Sequence, residues 1–285
     1  LAALKQGDNI IAAECINPVG NGLLDFGLQI PKHQETVFGN TAVQTSADVQ
    51  PMQTHYAFTC GDVDLKVTFT APLFMEDLKL LSRPVNYLTY SVAARDGKEH
   101  DVEVYFEASP RWALDQPYQQ SASKGYEADG LLYLKSGSKE QNILAKQGDD
   151  LRIDWGYFYM VAGKENTAYS VGNSTELRKN FVNGTLNSAS LEGEDSNGNM
   201  ALVRSHGKVK NVTDKIMLGY DDIYSIQYFG TNLRPYWNSK GDRTIEAEML
   251  AAYNEYDKVL ARCYAFDKKL MEDASAAGGK EYADL

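Results

Sequence analysis

Two adjacent carboxylates, Asp221 and Asp222, follow an apolar run from Ile216 to Tyr220 and precede Tyr224, Tyr228, Phe229, Arg234, Tyr236 and Trp237. Paired carboxylates do acid–base work on glycosides when they oppose one another across a cleft. Adjacent residues of one strand point opposite ways, so this pair alone is not such a dyad. Two readings stand: a carboxylate that pairs with Arg234 or caps a turn, and a connector in which Asp221, Asp222, Tyr224, Arg234, Tyr236 and Trp237 form the rim of a substrate cleft. A second polar–aromatic stretch holds Asp149, Asp150, Arg152 and Asp154, then Trp155, Tyr157 and Tyr159. Leu151, Ile153, Trp155, Tyr157 and Tyr159 alternate onto one face, which reads as core, and Arg152 and Asp154 share the other and are expected to pair. Aromatic strands serve packing more often than sugar stacking.

The remaining chemistry-bearing residues lack working spacings. Ser-x-x-Lys occurs at Ser121/Lys124, Ser136/Lys139 and Ser205/Lys208, in polar loop or strand-edge settings rather than at a buried helix start where the Lys could activate the Ser. There is no GxSxG elbow. Cys15, Cys60 and Cys263 have no CxxC spacing, which excludes a disulfide framework or zinc knuckle and leaves a Cys15–Cys60 bridge open for an exported protein. His33, His55, His100 and His206 are scattered. Asp195-x-Asn197-x-Asn199 opens like a calcium loop, yet Met200 stands where such a loop needs Gly, so a solvated turn is expected. No catalytic residue, metal or cofactor is therefore expected in this chain.

With 285 residues, 43% hydrophobic and 24% charged, the chain can bury a sizeable core. Its formal net charge of -11 argues against duplex DNA or an anionic membrane as partner, because both require a basic face. No apolar run approaches the roughly 20 residues of a membrane helix. The first residues, LAALKQGDNI, do not read as a signal peptide.

Period-two alternation dominates up to Tyr220. Val63, Leu65, Val67 and Phe69 face one way, Tyr56, Phe58 and Cys60 alternate upstream, and Gly61-Asp62 between them fits a type II′ hairpin. Asp96-Gly97 predicts a second hairpin, joining Leu88–Ala94 to Val102–Ala108. Further strands are expected at Leu131–Leu134, Leu151–Val161, Ala201–Ser205 and Ile216–Tyr220, and long loops at Leu114–Ala128 and Asn183–Asn199. Many short strands without helices between them indicate an all-β sandwich or barrel.

From Ile245 the period changes. Ile245, Met249, Ala252, Tyr256, Val259, Cys263, Phe266 and Leu270 recur at steps of four and three, an unbroken apolar stripe on a helix. Asp242 or Thr244 caps its start, Glu246 and Glu248 suit its positive end, and Gly278-Gly279 ends it, giving a helix over about 244–277, on the order of 50 Å long. KEYADL reads as the start of another helix. So long a stripe needs covering, by a second copy or by partner helices beyond this segment; the latter is favoured.

Three segments, LLSRPVNYLTYSV (Leu80–Val92), GDDLRIDWGYFYM (Gly148–Met160) and DDIYSIQYFGTNLRPYWN (Asp221–Asn238), resemble the glutaminase A-like proteins of bacteria and fungi. The resemblance runs from about Pro51 to Leu285. It implies a supersandwich-like antiparallel β-sandwich over 1–225, a connector over 226–243, and over 244–285 the first helix or helices of a truncated α/α toroid of the six-hairpin glycosidase kind. It also implies a non-catalytic N-terminal part of a hydrolase that converts L-glutamine to L-glutamate and ammonia, secreted or periplasmic. Its partners would be a C-terminal helical domain of the same protein and a small-molecule or glycan substrate. The alternative is the accessory sandwich of a glycoside hydrolase or a carbohydrate-binding module.

Overall fold

Alternating residues lay down most of the chain as antiparallel strands, and three short helices and one long helix complete it. The computed structural model describes residues 37–148, 152–186 and 198–284. Strands β1 (Val43–Val49), β2 (Gln53–Cys60) and β3 (Val63–Thr70) come first, then helix α1 (Leu78–Ser82). Next are β4 (Val85–Ala94), β5 (His100–Ala108), β6 (Ser121–Ala128), β7 (Leu131–Ser138), β8 (Tyr157–Gly163) and β9 (Thr167–Gly172). Helix α2 (Ser174–Val182), β10 (Asn199–Val209), β11 (Asn211–Asp221) and the short strands β12 (Ile226–Tyr228) and β13 (Thr231–Leu233) lead to α3 (Ile245–Gly278) and α4 (Lys280–Asp284).

An eight-stranded sheet has the order β1-β2-β3-β4-β11-β8-β7-β6, a three-stranded sheet the order β5-β10-β9, and β12-β13 form a separate hairpin. The period of two gives the large sheet two unlike faces. Leu132, Leu134, Phe158, Met160 and Ile216 pack against Tyr169, Val171, Met200 and Leu202 of the small sheet. Tyr87, Tyr133, Tyr159, Val161 and Met217 pack instead against Met249, Ala252, Val259 and Cys263 of α3. The result is a mainly β sandwich with a long C-terminal helix laid on its outer face. Each large apolar side chain so covered contributes about 1.5–3 kcal/mol.

Side-chain bonds lock α3 in place. Pro84 forces Arg83 out of helical geometry (φ -59, ψ 123), which ends α1 and leaves the guanidinium under α3. Arg83 Nε lies 3.2 Å from Glu248 Oε2 and its Nη1 2.8 Å from Glu255 Oε2. Arg243 pairs with the other Glu248 oxygen. Tyr87 donates to the Ala252 carbonyl (3.0 Å), Thr89 and Tyr256 share a bond of 2.6 Å, and the Met52 N–H donates to Asp267 Oδ1 (2.8 Å). Gly219 permits this closeness, because a Cβ there would strike Met249 and the Pro84 carbonyl. Thr244 caps the helix through the Ala247 N–H, and Gly279, at φ +83, ends it. The stripe is covered up to Cys263, whereas Phe266 and Leu270 remain 36% and 44% exposed.

Several expectations need correcting. Gly61-Asp62 does close the β2–β3 hairpin, with Cys60 opposite Val63. Asp96-Gly97 does not make a hairpin: β4 pairs with β3 and β11, β5 pairs with β10, and the turn carries the chain from one sheet to the other. The loop expected over Leu114–Ala128 ends in β6, whose inward positions are Ser121, Ser123 and Gly125. They are small because the Tyr169 ring occupies the space a Cβ at Gly125 would need, and Ser123 bonds Ser136 at 2.8 Å. The strand expected from Leu151 begins at Tyr157. Helix α2 was not foreseen; Asn173 caps it through the Thr175 and Glu176 N–H groups. Cys60 and Cys263 are free thiols. Cys15, Asp149, Asp150, Leu151, Asp195 and Asn197 lie outside the described residues.

Candidate functional site

Beside the first turn of α3, the outer face of the large sheet turns from apolar to polar. Pairing in register sets Lys124 opposite Lys135, Lys135 opposite Tyr159, Tyr126 opposite Tyr133, and Tyr157 opposite Asp221. These side chains share the face that Tyr133 and Tyr159 present to α3. Glu246, one residue into that helix, comes down among them: its Oε1 accepts from the Tyr126 hydroxyl at 2.7 Å. Tyr126 and Tyr133 stack with centroids 5.0 Å apart. Lys135 Nζ rests 3.6 Å from the centroid of Tyr157 and 5.7 Å from that of Tyr159.

The electrostatics follow from partial burial among aromatic rings. Burial pushes the Asp221 carboxyl above the usual range, with Asp222 and Glu246 adding to the rise and the Ile223 N–H and Lys135 opposing it. Burial also pulls the Lys135 ammonium below its ordinary value; Lys124 adds to this, and Glu246 and Asp221 oppose it. Tyr126, Tyr133 and Tyr159 are all raised, chiefly by burial. Shifted groups of both signs gathered on one face are a mark of functional sites.

The six residues expected on a cleft rim do not converge. Asp221 alone joins this face. Its Oδ1 accepts from the Ile223 N–H (3.0 Å), which holds Ile223 at φ 60, a strained value for a β-branched residue. Asp222 points elsewhere and accepts from the Ser225 hydroxyl at 2.5 Å. Both carboxylates therefore cap turns. Arg234 lies on the Tyr224 ring, 4.8 Å from its centroid. Trp237 is buried with Ile245 and Met249 in the core beneath α3, and Tyr236 is 59% exposed. Trp155 fastens the connector by donating Nε1 to the carbonyls of Asp222 (2.8 Å) and Tyr224 (3.0 Å). Gly156, at φ +79, is required there, since a Cβ would collide with the Asp221 carbonyl. Arg152 reaches Asp115 (3.6 Å), and Asp154 is held by Lys146 (2.8 Å).

Lys124, Lys135, Tyr126, Tyr133 and Glu246 were missed as a group. A signal existed: Lys135 continues the Leu131, Tyr133 alternation, a lysine on a face otherwise meant to be covered. Of the Ser-x-x-Lys spacings, Ser121 (buried) and Lys124 (exposed) lie on opposite faces of β6, as strand residues three apart do, and Lys139 lies past the end of β7. A cavity of about 540 Å³ beside Phe69, Trp112, Phe158 and Tyr220 has no charged side chain in its lining and so offers no acid or base. Among the described residues no group of His, Cys, Asp and Glu could hold a metal ion.

A family model described as a domain of unknown function (DUF5127) matches residues 52–273. Glutaminase A of Aspergillus oryzae is 27% identical over 263 residues, which cover 86% of this chain and 37% of that protein. The chain thus spans little more than a third of this curated relative. Among solved structures, the heparan sulfate lyase HepC of Pedobacter heparinus overlaps 63% of this chain and 21% of its own, at 5% identity and a TM-score of 0.32. That overlap is too slight to carry an argument.

Proposed function

Since the chain belongs to the DUF5127 family, we propose that it is the N-terminal, non-catalytic part of a glutaminase-like hydrolase, acting on L-glutamine to release L-glutamate and ammonia. The proposed division is a sandwich over 1–225, a connector over 226–243, and over 244–285 the opening of a helical toroid. The catalytic groups belong to the helical part of the same protein, and the sandwich supplies one wall of the substrate cleft. The reading includes a secreted or periplasmic location and a small-molecule substrate.

One observation supports this most: α3 is fixed to the sandwich through the buried Arg83–Glu248 ion pair, which Arg243 extends, yet farther along the helix Leu270 is 44% exposed and Phe266, with one edge on Phe74, is 36% exposed. A helix so held and so exposed suits the first member of a helical assembly. The polar face of Asp221, Lys135 and Glu246 lies beside the first turn of α3, at the opposite end from Phe266 and Leu270.

Ammonia release from L-glutamine tests the proposal, measured for this chain and for the longer protein it is proposed to belong to. The longer protein should turn over glutamine and the chain alone should not. Turnover by the pure chain, abolished by a single substitution within it, would overturn the non-catalytic assignment. Glycan hydrolysis by the longer protein, with no ammonia from glutamine, would replace the glutaminase reading by that of a glycoside hydrolase.

A further inference from the structure

Lys124 and Lys135 are direct cross-strand neighbours on the same face of the large sheet. Like charges so placed destabilise a sheet unless something lies between them. Among the described residues neither ammonium has an ion-pair partner. They rest on rings instead, Lys124 Nζ 5.8 Å from the centroid of Tyr126 and Lys135 Nζ 3.6 Å from that of Tyr157. Across the same tyrosine floor stands Asp221, half-buried, whose hydrogen bond among the described residues is the one from the Ile223 N–H. Opposite charges therefore face one another without closing into a salt bridge.

We propose that this face is a binding subsite for a small zwitterion, an α-amino acid, with its carboxylate on Lys124 and Lys135 and its ammonium on Asp221, Glu246 standing behind. The assignment rests on the proposed function and locates part of its substrate recognition on the sandwich. Other ligand classes fit less well. A simple anion meets the repulsion of Asp221 and Glu246, and a simple cation meets that of two lysines. A neutral sugar leaves partly desolvated charges of both signs without counter-charges, which is costly. A zwitterion answers both at once, and it reverses the burial-driven shifts of Lys135 and Asp221 described above.

Titration of the chain with L-glutamine, followed by NMR or calorimetry, tests this. Saturable binding is expected, and acetate or glutamine blocked at both α-groups should bind at least about tenfold more weakly, the worth of one charge-assisted contact. D221N and K135M should each weaken L-glutamine binding by about tenfold or more on the same grounds. K124Q, at an exposed position where folding is not at stake, should weaken it measurably, and circular dichroism checks whether the other two variants are folded. L-Glutamine binding untouched by D221N and K124Q would overturn the subsite. Failure of L-glutamine to bind, while the longer protein still releases ammonia, would overturn the subsite and leave the proposed function intact. Binding of a neutral oligosaccharide in place of glutamine, abolished by D221N, would overturn both.

Discussion

Arg83→Met isolates the attachment of α3 to the sheet. The Arg83 side chain is 4% exposed and meets Glu248, 1% exposed, and Glu255, 49% exposed. Removing one member of a buried pair costs about 3–5 kcal/mol, because the other is left charged and uncompensated. Glu248 keeps Arg243, so the low end applies, about 3 kcal/mol. For a domain of this size that corresponds to a Tm lower by roughly 6–12 °C. Glu255→Gln is the control. Its carboxylate is half in solvent, and its loss should cost under about 1 kcal/mol. Replacing both buried partners, Arg83→Met with Glu248→Met, should recover much of the loss, since an apolar pair of similar volume is often neutral or better. Arg243, 35% exposed at its side chain, is then served by water. Thermal and urea unfolding of these three variants and of Glu248→Met alone give the four values. The reasoning collapses if Arg83→Met costs no more than Glu255→Gln, or if the double variant loses the sum of its two singles.

Tyr256→Asp removes a ring set edge-on to Tyr87, with centroids 5.4 Å apart, and the bond to Thr89. A charge takes its place, for an expected loss of about 2–4 kcal/mol; unchanged Tm and sedimentation would mean that the stripe is idle surface. Asp267 is 4% exposed, its Oδ2 has no hydrogen-bond partner among the described residues, and burial raises its carboxyl above the ordinary value. The folded state therefore holds this proton more tightly than the unfolded chain does, so the group costs no stability below the unfolded value of about 3.9 and destabilises progressively as pH rises through the folded one. Asn keeps an oxygen for the Met52 N–H, so Asp267→Asn should raise Tm at neutral pH and leave it unchanged near pH 3; an equal gain at both would show that ionisation is not the cause.

Features set by near neighbours in sequence were the legible ones. Gly61-Asp62 closes its hairpin because Cys60 and Val63 are held together by the two residues between them, and the stripe from Ile245 to Cys263 is what α3 buries. Asp96-Gly97 misled for a reason of scale: turn chemistry determines that the chain reverses, not which strand comes to lie beside it. β6 escaped notice because its inward positions had to be small beneath Tyr169, leaving polar residues where alternation would have shown apolar ones. Helix α2 buries Leu177 alone, so it has no stripe, although Asn173 and Glu176 offered a capping signal. The candidate site was half visible. Asp221 stood out by its neighbour Asp222, but its real companions, Lys135 and Glu246, lie 86 residues before it and 25 after it by their numbers in the chain, and only strand register brings them together.

The long helix also has a mechanical consequence. Its clamps, from Glu248 to Asp267, hold roughly 30 Å of its length at 1.5 Å per residue, and the stretch from Lys268 to Gly278 projects about 16 Å past the last of them. An α-helix transmits bending along its axis, so a load on the projecting end pivots about Asp267 and is felt as torque at Arg83. Glu246 sits at the opposite end of the same beam, above the sheet face that carries Asp221.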